Sequence, residues 1–272
     1  MTAPDLLPAI IFDPPQVPPN PYGLYSHVRW VQSGDPFRAL LHQGVVIRPH
    51  NYGGEGAFGV WNAGWCEDPD SIAAEDRKHG TRPDAEELDP FTSETVYAFD
   101  HNACGDLSAE EIQATRDRAL RNLLRLEQNA AERQLAVRML ADAGTPRATT
   151  DIVAALAHIE TQFAITATAG FIHASSYWAA HAIRSQLAVR DGDRFVTPLG
   201  HTWVFGGGYA DELDTVLVAT SPIFGWRGET QINESIQHTT NEFIAVAERS
   251  VLLGYEKAVA AAEIETPEPA EP

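Results

Sequence analysis

The stretch from Ser108 to Asp142 contains neither proline nor glycine, and it constrains the fold more than any other part of the chain. Ser108 and Glu111, three residues apart, form a capping box, and Gly144 and Pro146 follow the run. The spacing predicts one helix over 109–142. At about 1.5 Å per residue it would reach about 50 Å, beyond the usual helix of a compact domain. Ile112, Ala119, Leu120, Leu123, Leu124, Ala131 and Leu135 give it one narrow apolar stripe. Arg116, Asp117, Arg118, Arg121, Arg125, Glu127, Glu132, Arg133 and Arg138 populate the rest, the pattern of a helix laid across a thin sheet. The a/d repeat is not sustained for enough heptads to make a coiled coil.

The chain ahead of this helix has little capacity to hold itself up. Residues 1–21 carry seven prolines, so the stretch is expected to be extended, neither helix nor inner strand. Leu6, Leu7, Ile10, Ile11, Phe12 and Val17 lie between them, too apolar for a solvated linker. Two readings stand: an arm lying on a surface, its own or a neighbour's, or an ordinary disordered terminus. From His27 to Trp61 the text reads as short strands and turns, with strands expected at Val28–Val31, Gly44–Arg48 and Phe58–Trp61. Cys66 to Pro90 then holds nine acids and three Lys or Arg residues, and reads as a long polar loop. Strand-like residues return between Pro90 and Phe99.

After the helix, Thr149 or Thr150 opens a second one with Asp151 in its first turn and an apolar face of Ile152, Val153, Leu156, Ile159 and Phe163. A strand at Phe171–Ile172, a short helix capped by Ser175 or Ser176, and a hairpin at Asp191-Gly192-Asp193 follow. Further strands are expected at Trp203–Phe205, Val216–Val218 and Phe243–Leu253. Within the last of these, Arg249 sits in an apolar run and must find a partner. Residues 263–272 hold four Glu and three Pro and read as a disordered acidic tail.

A chain of 272 residues with 44% hydrophobic content can bury one substantial core or two small ones. No run of about 18 apolar residues is present, and the first 20 residues lack a secretory pattern, so a soluble, unexported product is expected. The formal charge of −19 opposes broad binding of nucleic acid phosphates. It reads either as simple solubility or as an inner container wall to which packaged DNA does not stick. Cys66 and Cys104 make no CxxC pair, which argues against zinc, and a disulfide between them is not expected.

Candidate chemistry is thin. Gly206-Gly207-Gly208 lacks the phosphate-loop lysine and dinucleotide spacing, and reads as a tight turn. His173 lies near Ser175 and Ser176 without a nucleophile elbow. His158 with Glu160, and His238 with Glu242, lack the spacing of a metal site. The expectation is no catalytic, cofactor-binding or metal-ligating residue, no cofactor and no enzymatic activity.

The order of elements resembles the tailed-bacteriophage major capsid proteins, whose fold is shared with encapsulins. The segments that carry the resemblance are Asp151 to Phe163, Phe171-Ile172-His173-Ala174, Gly192-Asp193-Arg194-Phe195, Leu199 to Val204 and above all Ala245 to Tyr255. The last is similar to the final strand of many such subunits, especially those of actinobacterial phages. Gly44-Val45, Gly59-Val60-Trp61 and Thr95-Val96-Tyr97 agree more loosely, and coverage is about residues 25–258.

The resemblance implies an α+β fold with an N-terminal arm and first strand (1–42), an extended loop (43–94) and a peripheral domain (95–146) holding the spine helix 109–142. An axial domain (147–225), a return to the peripheral domain (226–262) and the acidic tail (263–272) complete it. It implies a subunit that assembles with itself as pentamers and hexamers into an icosahedral shell around double-stranded DNA, without sequence-specific binding and without a membrane. Assembly would take place in the host bacterial cytoplasm, and the product would be the virion. No long helical segment precedes the arm, so a separate scaffolding protein is expected, with a portal and decoration proteins as further partners. Some relatives cross-link their shells through a loop lysine, an asparagine and a buried glutamate. Lys78 and Asn241 fall near the first two, but an apolar residue near Ala247 occupies the third, so cross-linking is not expected and Lys78 reads as a solvated loop cation. The alternatives are an encapsulin-type compartment, a soluble enzyme and a minor virion protein.

Overall fold

The computed structural model describes residues 14–31, 44–52, 54–81, 89–103 and 107–265. The expectations for residues 1–13 of the arm, for 82–88 of the loop, for Cys104 and for the end of the tail fall outside these residues.

Two sheets share the chain. The first contains β1 (Arg29–Trp30), β2 (Glu94–Ala103), β9 (Phe224–Arg227), β10 (Gln231–Gln237) and β11 (Glu242–Gly254). β11 is its axis: β2 lies along one side in antiparallel register from Glu242↔Ala103 to Val251↔Glu94, and β10 and then β9 lie along the other. β1 joins β9 in parallel. Alternation in β11 sends Phe243, Ala245 and Ala247 to one face, where they pack with Ala119 and Leu123. Alanine at two of these positions lets a helix approach closely.

That helix is α1 (Ala109–Ala143), and Ser108 Oγ accepts from Glu111 N at 3.4 Å as the capping box requires. Its buried side is broader than the expected stripe. Thr115, Glu127, Gln128, Glu132, Ala136 and Met139 are buried with Ala119, Leu123, Ala131 and Leu135, whereas Leu120 and Leu124 are only half-buried. The correction has a geometric cause. Glu132 lies nine residues from Leu123, half a turn round the helix, so the second half of α1 is covered on two opposite sides.

The second sheet has the order β3 (Arg147–Thr149), β12 (Ala258–Ile264), β8 (Val216–Thr220), β4 (Phe171–Ser175), β7 (Thr202–Gly206), β6 (Arg194–Val196) and β5 (Val189–Asp191). The β5–β6 turn is the expected hairpin, with Gly192 at φ 63°. α2 (Ile152–Ile165) buries Ile152, Ala155, Leu156, Ile159 and Phe163 against this sheet. Asp151 is its N-cap rather than a first-turn residue, accepting from Ala154 N at 2.8 Å, and Val153 is exposed. α3 (Tyr177–Arg184) follows β4, and the single turn α4 (Tyr209–Glu212) lies between β7 and β8. Ser175, not Ser176, supplies the side-chain oxygen at the start of α3, accepting from Tyr177 N.

Three sequence expectations are corrected. Gly44–Arg48 and Phe58–Trp61 form no strand; the first is reduced to a single bridge, Val45↔Phe91, and the second pairs with no strand among the described residues. β-propensity states that a segment suits a pleated surface and leaves the partner unspecified. The expected tail begins too early: Glu263 and Ile264 end β12, and Ile264 is buried. β12 itself pairs with β8 and β3, so the chain leaves the first sheet after Gly254 and closes in the second.

Candidate functional site

α1 carries two buried carboxylates that tie the N-terminal part of the chain to both sheets. Glu132 Oε1 accepts from Leu24 N at 2.9 Å and its Oε2 from Gly208 N at 2.7 Å. Gly206 and Gly208 are fitted to this carboxylate. A Cβ on Gly206 would stand 2.7 Å from the Glu132 carboxyl group, and one on Gly208 would stand 2.1 Å from the carbonyl oxygen of Asn129. The turn thus points backbone N–H groups at an anion, as a phosphate loop does, but the anion is the chain's own side chain. Burial raises the pKa of Glu132, and the backbone N–H bonds partly oppose that rise.

Glu127, just over one turn earlier, is 3% exposed and pairs with Arg249 Nη1 at 3.1 Å. Arg249 also donates to Thr230 Oγ1, and Tyr25 Oη donates to Glu127 Oε1 at 3.0 Å. Burial and the Glu127 charge together raise the pKa of Tyr25, which keeps its hydroxyl a donor. Residues 20–31 form a strap. It bonds β7 through Phe205 N to Tyr22 O, and the first sheet through Arg29 N to Ile223 O and Val31 N to Gly225 O. The partner that Arg249 was expected to need is therefore Glu127, a residue the helical pattern had placed on the polar face.

The candidate residues do not assemble into a reactive centre. His173 is fully buried, with Nδ1 3.0 Å from Tyr209 Oη and Nε2 2.9 Å from Thr220 Oγ1. Thr220 spends its proton on Ser221 O, so Nε2 carries the imidazole proton and Nδ1 accepts from Tyr209. Burial, followed by the neighbouring His27, lowers the His173 pKa to about 3. Both ring nitrogens are committed, and Ser175 Oγ is turned to Tyr177 N.

His158 and Glu160 sit two apart on α2 and face different ways. His158 Nδ1 meets Arg147 at 3.5 Å, while the charge of Glu160 acts on His201, which stacks on Phe163 at 4.2 Å. His238 is exposed in the β10–β11 turn, where Asn241 has φ 49°, and Glu242 pairs with His101 at 3.7 Å. Among the described residues no group of three or more His, Cys, Asp or Glu side chains is placed to hold a metal ion, and no helix is long and apolar enough to cross a membrane.

Among the described residues, the most exposed large apolar side chains lie on the loop. Phe58, Val60 and Trp65 are 84%, 81% and 87% exposed. Trp61 packs edge-on against Trp65 with ring centres 6.4 Å apart, and Lys78 Nζ lies 4.4 Å from the Trp61 ring centre. Thr81 N bonds to Gly56 O, so the loop closes on itself. Among the described residues no hydrogen bond or ion pair joins 54–81 to the rest of the chain. Sequence reading gave no hint that Phe58, Val60 and Trp65 would face outward while Trp61 and Ile72 are half-buried. A run such as Phe58-Gly59-Val60-Trp61 reads as a buried strand until its lack of a partner is seen.

No family model matches the chain, and no curated protein matches it. Among solved structures, the capsid of an empty GTA particle is similar over 95% of this chain and 94% of that one, with 12% identity and a TM-score of 0.51. A structure from Microbacterium phage Oxtober96 aligns over 97% and 95% at 14% identity with a TM-score of 0.48. The holo-SrpI encapsulin complex of Synechococcus elongatus PCC 7942 aligns over 67% and 80% at 10% identity with a TM-score of 0.44. At 12% identity, the likeness to the GTA capsid bears on the fold. The chain has the α+β major capsid fold of tailed phages, as the resemblance implied.

Proposed function

We propose that this chain is the major capsid protein of a tailed bacteriophage, whose copies close as pentamers and hexamers into the icosahedral shell around a double-stranded DNA genome. The observation that carries this reading is the 54–81 loop, which exposes Phe58, Val60 and Trp65 and, among the described residues, has no hydrogen bond or ion pair to the rest of the chain. Exposed apolar groups of this kind are stabilised when a second copy covers them, and a repeated contact between identical chains builds a closed lattice. The shared fold supports the same reading.

In this proposal residues 1–42 form the arm and first strand, and 43–94 the loop that reaches a neighbour. The first sheet with α1 is the peripheral part, and the second sheet the axial part. Scaffolding, portal and decoration proteins are separate partners, the interior faces DNA without reading its sequence, and the subunit has no catalysis of its own. An encapsulin-type compartment is the other reading of this fold, and the nucleic acid content of purified particles separates the two.

The test is electron microscopy of the purified chain. Closed shells, tubes or capsomers support the proposal, and a monomer under all conditions overturns it. The double variant Phe58→Ser with Trp65→Ser is expected to unfold within about 0.5 kcal/mol of the parent, because both sites are exposed. It is also expected to lose closed particles. Unchanged particle yield would show that the loop does not join the copies. Cross-linking is not part of the proposal, since Ala247 is fully buried beneath α1 and carries no carboxylate. Particles boiled in detergent should therefore run as a single monomer band, and a ladder of higher bands would contradict this.

A further inference from the structure

The loop leaves and re-enters the body at one point. Val45 and Phe91 exchange two backbone hydrogen bonds of 2.9 Å, and the described residues between them belong to neither sheet. The outgoing limb has its own anchors: Asn51 bonds Glu256 through N at 2.9 Å and Nδ2 at 2.6 Å, and Tyr52 Oη donates to Ala169 O at 3.3 Å.

The returning limb is held differently, by Arg138 of α1. Its Nη1 donates to Pro90 O at 3.2 Å and Nη2 to Asp89 O at 3.3 Å, while the guanidinium lies 4.5 Å from the Phe91 ring centre. Nε of the same residue is 2.8 Å from both oxygens of Asp142. Asp142 accepts from Tyr255 Oη at 2.8 Å, and Tyr255 meets Phe91 edge-on at 5.0 Å. Arg138, Asp142, Tyr255 and Phe91 thus form a closed ring of contacts around the point where the loop rejoins the body.

We infer that Arg138 is a positioning residue for assembly, its ring with Asp142, Tyr255 and Phe91 setting the angle at which the 54–81 loop projects toward the next copy. This rests on the shell reading above. Three observations carry it. The loop is stitched to itself through Thr81 and Gly56, so it turns as one piece. Its returning limb meets an open apolar groove of about 260 Å³ between α1 and the sheet, lined by Phe91, Val96, Leu135, Val137, Val251 and Leu253. Phe91 itself is buried in the core and bridged to Val45, so the ring adds a polar tie beside the groove to a limb that packing already seats. Lastly, a planar fork that serves two carbonyls, a carboxylate and an aromatic face is geometry that lysine cannot reproduce.

The experiment compares the wild-type chain with Arg138→Met, Arg138→Lys and Tyr255→Phe, reading secondary structure and urea midpoint on dissociated subunits and the diameter distribution of assembled particles. Arg138→Met is expected to fold and to give at least tenfold fewer closed particles of the wild-type diameter. Arg138→Lys should lie between, and Tyr255→Phe should keep the fold and broaden the distribution. Wild-type diameters and yields from Arg138→Met overturn the inference. If that variant does not fold, Tyr255→Phe decides, and a wild-type distribution from it overturns the inference equally. A wild-type chain that forms no particles defeats the shell reading itself, which is a distinct result.

Discussion

Arg249→Met is expected to lower the unfolding free energy of the dissociated chain by about 3–5 kcal/mol, the range for breaking a buried ion pair from one side. Glu127 is 3% exposed, and without the guanidinium its only remaining partner among the described bonds is the Tyr25 hydroxyl. The loss comes from the carboxylate left behind and not from the attraction removed. The double variant Arg249→Met with Glu127→Met should accordingly be milder than the single one, since two apolar groups then share the space. Urea unfolding of the four species closes the cycle. A single variant within about 1 kcal/mol of wild type would mean that the seam opens to water and relieves the charge.

Acid should weaken the same subunit through His173. Its pKa is held at about 3 by burial, below the ordinary value of 6.5, so the unfolded chain takes up a proton before the folded one does. The contribution of the neutral imidazole is complete above pH 6.5 and is lost as pH falls from there toward 3. At about 1.4 kcal/mol for each pH unit between the two values, the whole loss is on the order of 5 kcal/mol. His27 and His201 are also lowered, chiefly by burial, and act in the same direction. Glu132 acts against them: its pKa is raised, so its ionised form is penalised at neutral pH and that penalty eases on acidification.

A urea midpoint that falls between pH 7 and pH 4 is the expected net result, and His173→Gln should flatten the slope even though it lowers the starting value. A midpoint that does not change over that interval, or an equally steep slope in His173→Gln, would show that His173 is not the group responsible.

The sequence disclosed those parts of the fold whose signals are local. The capping box at Ser108, the turn at Gly192 and the apolar run of the Phe243–Leu253 strand each require only neighbours within a few residues, and each is where it was expected. Glu127 and Glu132 were misread for the opposite reason. What buries them is the strap, Arg249 and the glycine turn, and the bonds they make to these carboxylates span 76 or more positions of the chain. Helical periodicity records one buried side well and a second one poorly, because a charged residue that has found partners looks the same as one facing water. The loop root was equally hidden. Nothing near Arg138 announces that its fork is directed at Asp89 and Pro90, nearly fifty residues earlier.

Both sheets are stitched from opposite ends of the chain. β1 waits for β9, β2 for β11, and β3 for β12. Pairings this distant make for high contact order, and the loop-closure entropy must be met before any of them returns a contact. On the ribosome, the first sheet cannot be completed until β11 has been made, nor the second until β12 has. The 54–81 loop is therefore made long before the strands that close the body it projects from, and those strands are the last requirement for either sheet.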